Sequence, residues 1–190
     1  MQRIILGISG ASGMPLAHTM LQCLRTVPEL EIHLIVSGGA RRVLQTECAM
    51  PLGELLDCAH VVHEISDMAA APSSGSWLHS GMIVCPCSMS SLASIASGAG
   101  INLIHRAADV TLKERRPLVL VPRETPLNLI HLRNMQTICE AGGIIMPFSP
   151  AFYTKEVALA ALMRHFTGRV LDQMGIAHNL CIRWQGEEGQ

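Results

Sequence analysis

Short apolar runs at residues 3–7, 31–36, 81–85, 118–121 and 143–146 alternate with stretches whose apolar residues recur at helical spacing, at 15–25, 39–48, 51–56, 88–97, 104–114, 127–141 and 155–174. A strand that is apolar on both faces needs cover on both. Alternation of such strands with helices therefore predicts an α/β three-layer sandwich, a mostly parallel sheet with helices on either side. With no repeat or low-complexity linker in the chain, residues 1–190 read as a single domain.

In sheets of this kind ligands bind beyond the carboxyl ends of the strands. The first strand is followed by GISGASG (Gly7 to Gly13) and the second by Ser37-Gly38-Gly39. After the third comes PCSMSS (Pro86 to Ser91), after the fourth PRETP (Pro122 to Pro126), and after the last PFSPAFY (Pro147 to Tyr153). Five turns rich in Gly, Pro, Ser or charge at one edge predict a site there.

The first turn has the look of a phosphate loop, in which backbone amides, serine hydroxyls and a helix N-terminus share an anion. It is not a dinucleotide fingerprint: Ser9 stands at the second glycine of G-x-G-x-x-G, and the second strand ends in Ser37 where a ribose-binding carboxylate belongs. Nor does it match G-x-x-x-x-G-K-[ST]. A mononucleotide such as FMN fits what remains, against the plain alternative of a tight glycine turn. Ser88 to Ser91 read either as an ordinary helix cap or as partners of the same ligand.

Arg106 and Lys113 fall on nearly one helical face, about two turns apart. Arg123-Glu124, held between Pro122 and Pro126 at a strand's carboxyl end, points to a functional pair or a local ion pair. In the last helix Leu159, Leu162, Met163, Phe166, Val170 and Met174 form one stripe, with Arg164 opposite and Arg169 at its edge, just beyond the only tyrosine, Tyr153. Cys85-Pro86-Cys87 lacks zinc or redox spacing, and the nine histidines form no metalloprotease grouping, so no metal is expected.

The balance of 14 basic and 15 acidic residues argues against a nucleic-acid or membrane surface. No apolar run reaches transmembrane length. Seven scattered cysteines argue against a disulfide framework, and a cytoplasmic location is expected. Charged residues make up only 15 % of the chain, against a usual ~25 %, which points to apolar surface buried between identical subunits.

The segments GISGASG, SSGSW, CPCSMSSLASI, RAADVTLKERRPLVLVPRETPL, PAFY, RVLDQ and RWQG, in this order over almost the whole chain, resemble the UbiX/Pad-type flavin prenyltransferases. The resemblance implies a Rossmann-like (flavodoxin-like) sheet that binds reduced FMN and joins a dimethylallyl group from dimethylallyl phosphate to flavin N5 and C6 without a metal. It also implies homo-oligomers, commonly dodecamers, and delivery of the prenylated FMN to a UbiD-type decarboxylase. Carried over by position, Gly10, Ala11, Ser12, Ser37, Ser88, Met89, Ser90, Ser91, Arg106 and Arg123 hold FMN. Lys113, Tyr153 and Arg169 hold the donor phosphate, with Trp184 closing the site. Ser9, Glu47, Glu124 and Lys113 are the implied catalytic residues.

The chain departs from the family pattern where PCSxKTL becomes Pro86 to Leu92 with Ser90-Ser91, and where SSGSF ends in Trp77, expected to narrow the prenyl pocket. Two other readings are a flavin-binding or flavin-delivering protein without transferase activity, and an FMN-dependent cysteine decarboxylase of related fold. The first has no use for a donor-phosphate clamp. The second needs a PxMNxxMW stretch where this chain has PFSPAFY.

Overall fold

The computed structural model describes residues 2–184 and 186; Gln185 of the RWQG run lies outside them. Strands β1 (Gln2–Ile8), β2 (Leu30–Val36), β3 (Val61–His63), β4 (Met82–Cys87), β5 (Leu118–Pro122) and β6 (Ile144–Ile145) form one sheet in the order β3-β2-β1-β4-β5-β6. Every neighbouring pair is parallel, and β1 pairs with β2 in continuous register from Gln2↔Leu30 to Ile8↔Val36. The helices are α1 (Met14–Arg25), α2 (Gly38–Glu47), α3 (Leu52–Leu56), α4 (Met89–Ala96), α5 (Leu103–Lys113), α6 (Leu129–Glu140) and α7 (Leu159–Gln173).

The central strands are apolar throughout because successive side chains enter two different cores. Ile4, Leu6, Ile8, Ile32, Leu34, Ile83, Val119 and Val121 pack under α1, α2, α3 and α7. Ile5, Ile35, Met82, Val84, Leu118 and Leu120 pack under α4, α5 and α6. Gly7 has to be small for the second core to close, since a Cβ there would lie 3.2 Å from Ile104 Cγ2. The strand order reverses between β1 and β4, and the turns after these two strands flank the crevice that such a reversal opens.

Two elements differ from the sequence reading. β3, only three residues long and partly exposed, carries too short a pattern to stand out. α7 begins at Leu159 rather than at residue 155, because Lys155 adopts φ +58° and closes a 3-10 turn over Phe152–Thr154. The stripe on α7 is buried at Phe166, Val170 and Met174, whereas Leu159 at its start is exposed, as Arg164 opposite was expected to be. Among the described residues no helix is long and apolar enough to cross a membrane.

Candidate active site

Helices α1, α2 and α4 start at the carboxyl edge of the sheet directly after β1, β2 and β4, and their first backbone amides show where an anion has room. At α1 there is none to spare. The amides of Gly13 and Met14 both donate to Glu47 Oε2 at 2.9 Å, Pro15 has no N–H, and the Leu16 amide reaches the Gly13 carbonyl at 3.1 Å. A carboxylate from the end of α2 thus occupies the place where the GISGASG turn suggested a phosphate. At α2 the Ser37 amide bonds Ile8 O and the Ser37 hydroxyl takes the Ala40 amide, which leaves Gly38 and Gly39. At α4 the Ser88 amide donates to Ser9 Oγ and the Ser88 hydroxyl takes the Ser91 amide, which leaves Met89 and Ser90.

Ser9 is buried, and its hydroxyl works on the protein itself: it donates to Pro86 O at 3.0 Å and accepts the Ser88 amide at 2.7 Å. This ties the β1 turn to the β4 turn. Gly10 packs backbone to backbone on Gly39, and a Cβ on Gly10 would lie 3.0 Å from the Gly39 Cα. Ala11 and Ser12 are half-buried beside it.

Between these turns and α7 lies an open cavity of about 450 Å³, within the usual range for small-molecule sites. Ser12, Glu47 and Arg123 give it polar groups, while Pro15, Leu16, Val121, Phe148, Leu159 and Met163 give it apolar walls. Burial pushes the Glu47 carboxyl up, but the Ser12 hydroxyl, the Gly13 and Met14 amides and the Arg123 charge outweigh it and hold the group below the usual carboxylate range. Arg123 is placed by its own amide, which donates to Cys87 O at 3.3 Å. Glu124 is exposed and accepts from the Thr125 amide at 3.0 Å; no ion pair with Arg123 exists among the described residues.

A second cavity, of about 230 Å³, is lined by Pro147, Ser149, Tyr153, His165, Phe166 and Arg169. The two adjoin at Phe148 and Phe166, whose rings meet edge to face at 5.2 Å. Arg169 pairs with Asp172 at 2.7 Å, and the same carboxylate accepts from His178 and Arg183. The Tyr153 hydroxyl reaches His165 Nε2 and donates to Ile182 O, while Trp184 stands edge-on to the tyrosine ring at 5.8 Å. The segment from His178 to Trp184 therefore runs along α7, holding Tyr153 through Ile182 O and holding Asp172, the partner of Arg169, through His178 and Arg183. Phe148 falls in the PFSPAFY turn that the sequence places at the site edge, whereas local sequence pattern gave no sign of His165 or Asp172; only their proximity in the fold reveals them.

Arg106, Lys113 and Trp77 are elsewhere. Arg106 donates to Ser73 O at 3.2 Å and pairs with Asp109, and Lys113 pairs with Glu114 beside Gly75. Both lie on α5, on the opposite face of the sheet from Tyr153 and Arg169, and Lys113 ends that helix at the amino edge, just before β5. Trp77 packs edge-on to His33 at 4.7 Å with the Arg3 guanidinium over its ring. Trp77 thus lines neither cavity of its own chain, contrary to the expectation that it narrows the prenyl pocket. Cys85 and Cys87 are fully buried, and burial pushes the Cys87 thiol up to about 12, so neither is a nucleophile.

The flavoprotein family model matches residues 1–166. The chain is 43 % identical over 187 residues, 98 % of its length and 100 % of the relative's, to the flavin prenyltransferase LpdB of Lactiplantibacillus plantarum. Among solved structures, AnUbiX (PadA1) in complex with FMN and dimethylallyl pyrophosphate superposes with a TM-score of 0.94 at 45 % identity, covering 97 % of this chain and 98 % of that one. A dodecameric FMN-dependent UbiX-like decarboxylase from Escherichia coli O157:H7 gives the same TM-score at 44 % identity, covering 97 % and 100 %.

Proposed function

The chain belongs to the flavoprotein family and, within it, to the UbiX-type flavin prenyltransferases, and from that premise we propose that it joins the dimethylallyl group of dimethylallyl phosphate to N5 and C6 of reduced FMN. The observation that carries this reading is the pair of adjoining cavities. One is mostly apolar, with Ser12, Glu47 and Arg123 as its polar groups; the other is lined by Tyr153 and Arg169 and suits an anion.

The residues present fit FMN. The free amides of Gly38, Gly39, Met89 and Ser90 are donors for a phosphate or ribityl chain, and the close approach of Gly10 and Gly39 keeps side chains out of the cradle. Arg123 supplies positive charge at the rim. When bound and reduced, the flavin supplies the nucleophilic atoms.

In the donor, the allylic C–O bond breaks and its electron pair leaves with the phosphate. Arg169 and Arg123 stabilise that charge as it develops, and the Tyr153 hydroxyl joins them by turning its proton from Ile182 O to the phosphate. The apolar walls at Phe148, Leu159 and Met163 exclude water from the allyl fragment. Closing the second bond at C6 releases a proton. Glu47 is a poor acceptor for it, because its carboxylate is held ionised by three donors and caps α1. Glu124 and the departing phosphate remain as acceptors.

For Arg106 and Lys113 to act with this set, a second copy of the chain has to bring them. We therefore place the working site at a contact between copies in a homo-oligomer, with a dodecamer as its size. The reading also makes the protein a cytoplasmic supplier of prenylated FMN to a UbiD-type decarboxylase. Anaerobic incubation with reduced FMN and dimethylallyl phosphate, followed by mass spectrometry of the extracted flavin, tests the proposal. A flavin heavier by one C5H8 unit supports it. Tightly bound, unchanged FMN overturns it in favour of a flavin carrier.

A further inference from the structure

The turn that departs from the family pattern, Ser90-Ser91, leads into a buried polar chain that the proposed reaction does not use. Ser88 Oγ lies 3.3 Å from Ser91 Oγ, and Ser91 Oγ lies 3.3 Å from His105 Nε2. Ser91 and His105 are 7 % and 6 % exposed, while Ser88 is only half-buried, so the chain runs from the rim of the carboxyl edge into the core beneath α4 and α5. At its inner end His105 Nδ1 is buried without any partner.

The protons on this chain have two arrangements, and neither is free of conflict. Asn102 Oδ1 accepts the His105 amide at 3.1 Å, so the Asn102 NH2 faces His105 Nε2 at 3.4 Å. That favours a lone pair on Nε2. Ser91 then donates inward to Nε2, Ser88 donates inward to Ser91, and Ser88 offers the rim only a lone pair. In this state the Nδ1 proton is left buried and unpaired, which is costly. With the proton on Nε2 instead, the imidazole donates to Ser91, Ser91 to Ser88, and the Ser88 proton points out to the rim. The conflict then moves to the Asn102 NH2. No heavy atom has to move between the two arrangements.

We propose that His105 is a positioning residue of the flavin site: through Ser91 it sets whether the Ser88 hydroxyl donates to or accepts from bound FMN. This rests on the reading of the 88–91 turn as part of the flavin cradle. Burial alone holds the His105 imidazole below its ordinary pKa; no charged side chain of α4, of the 71–73 turn or of β4 and β5 contributes to its titration. In acid the ring carries a proton on both nitrogens, so Nε2 donates to Ser91 and fixes Ser88 in the outward-donating state, while the Nδ1 proton stays buried and unpaired.

The test is a fluorescence titration of FMN between pH 5 and 8 into the wild-type protein and the Ser88→Ala, His105→Leu and His105→Gln variants. Ser88→Ala is expected to weaken binding about 3- to 10-fold, the worth of one hydrogen bond. His105→Leu should lose a similar factor at neutral pH. His105→Gln, which can still donate or accept but cannot titrate, should stay within about twofold of wild type at pH 8 and lose the wild-type change of affinity in acid. His33, His63 and the flavin phosphate are the same in every variant, so the difference between curves carries the result. If Ser88→Ala weakens binding while both His105 variants keep the wild-type affinity and pH profile, the proposal is overturned and the cradle stands. If Ser88→Ala changes nothing, the cradle reading at this turn fails and the proposal falls with it. Should His105→Leu not fold, His105→Gln decides by its pH profile alone.

Discussion

Glu47 illustrates how a single side chain can occupy the position that a motif seems to reserve for a ligand. Gly13, at the N-cap of α1, has no side chain to cap the helix, so a carboxylate 34 residues further on does so. Replacing Glu47 by Ala should cost about 1 kcal/mol of stability in chemical denaturation, the usual worth of a lost cap, and Glu47→Gln less, because the amide oxygen still accepts. Arg169 behaves differently. It is exposed and its partner Asp172 keeps two other donors, so Arg169→Ala should leave stability and FMN affinity nearly unchanged and lower turnover by about 10²- to 10³-fold. A comparable loss of FMN affinity in that variant would place Arg169 on the flavin rather than on the donor phosphate. At this scale the sequence was legible only in part. Serines and glycines in a turn declare donors, but which amides are already taken depends on partners far along the chain.

The elements themselves were more legible, because their signal is periodic and local. Apolar strands followed by Gly/Ser turns placed the carboxyl edge correctly, while β3 was missed because it has only three residues, and α7 was started four residues early, at 155, because its start depends on the backbone angle of Lys155. The strap from His178 to Trp184 has no periodicity at all, yet it positions Tyr153 through Ile182 O and holds Asp172 through His178 and Arg183. It comes this close to α7 because of Gly168, where a Cβ would meet His178 Cε1 at 2.9 Å, Cys181 Cβ at 3.1 Å and Leu180 Cβ at 3.2 Å. Two of these atoms sit next to backbone and cannot swing aside. Gly168→Ala should therefore lift the strap, cost about 1–3 kcal/mol in thermal or chemical denaturation, and lower turnover with little effect on FMN binding. Unchanged stability would show that the strap yields easily and does not position Tyr153.

The whole molecule carries two further consequences. The first concerns acid. Burial pulls His79 from 6.5 to about 4, and His33, His63 and His105 are shifted in the same direction. Between those pH values the unfolded chain binds more protons than the folded one, so stability should fall as pH drops from about 6.5 to about 4, and fall further below as Glu47 and Asp172, held under the usual carboxylate range, are protonated. Melting temperatures across that range should show the slope, and His79→Asn should flatten it. The second consequence concerns assembly. Arg106 and Lys113 lie on the opposite face of the sheet from Arg169, so one chain cannot bring all three to one phosphate. If copies share the work, Lys113→Ala and Arg169→Ala will each be inactive alone, yet in a co-assembled, equimolar mixture about a quarter of the sites will draw an intact residue from each neighbour. Activity should reappear on mixing and scale with the fraction of hybrid assemblies. If both residues served the same chain's site, every site in the mixture would contain one defect and no activity would return. Recovery on co-assembly, measured as prenylated flavin per chain, thus separates a site built between copies from one built within each.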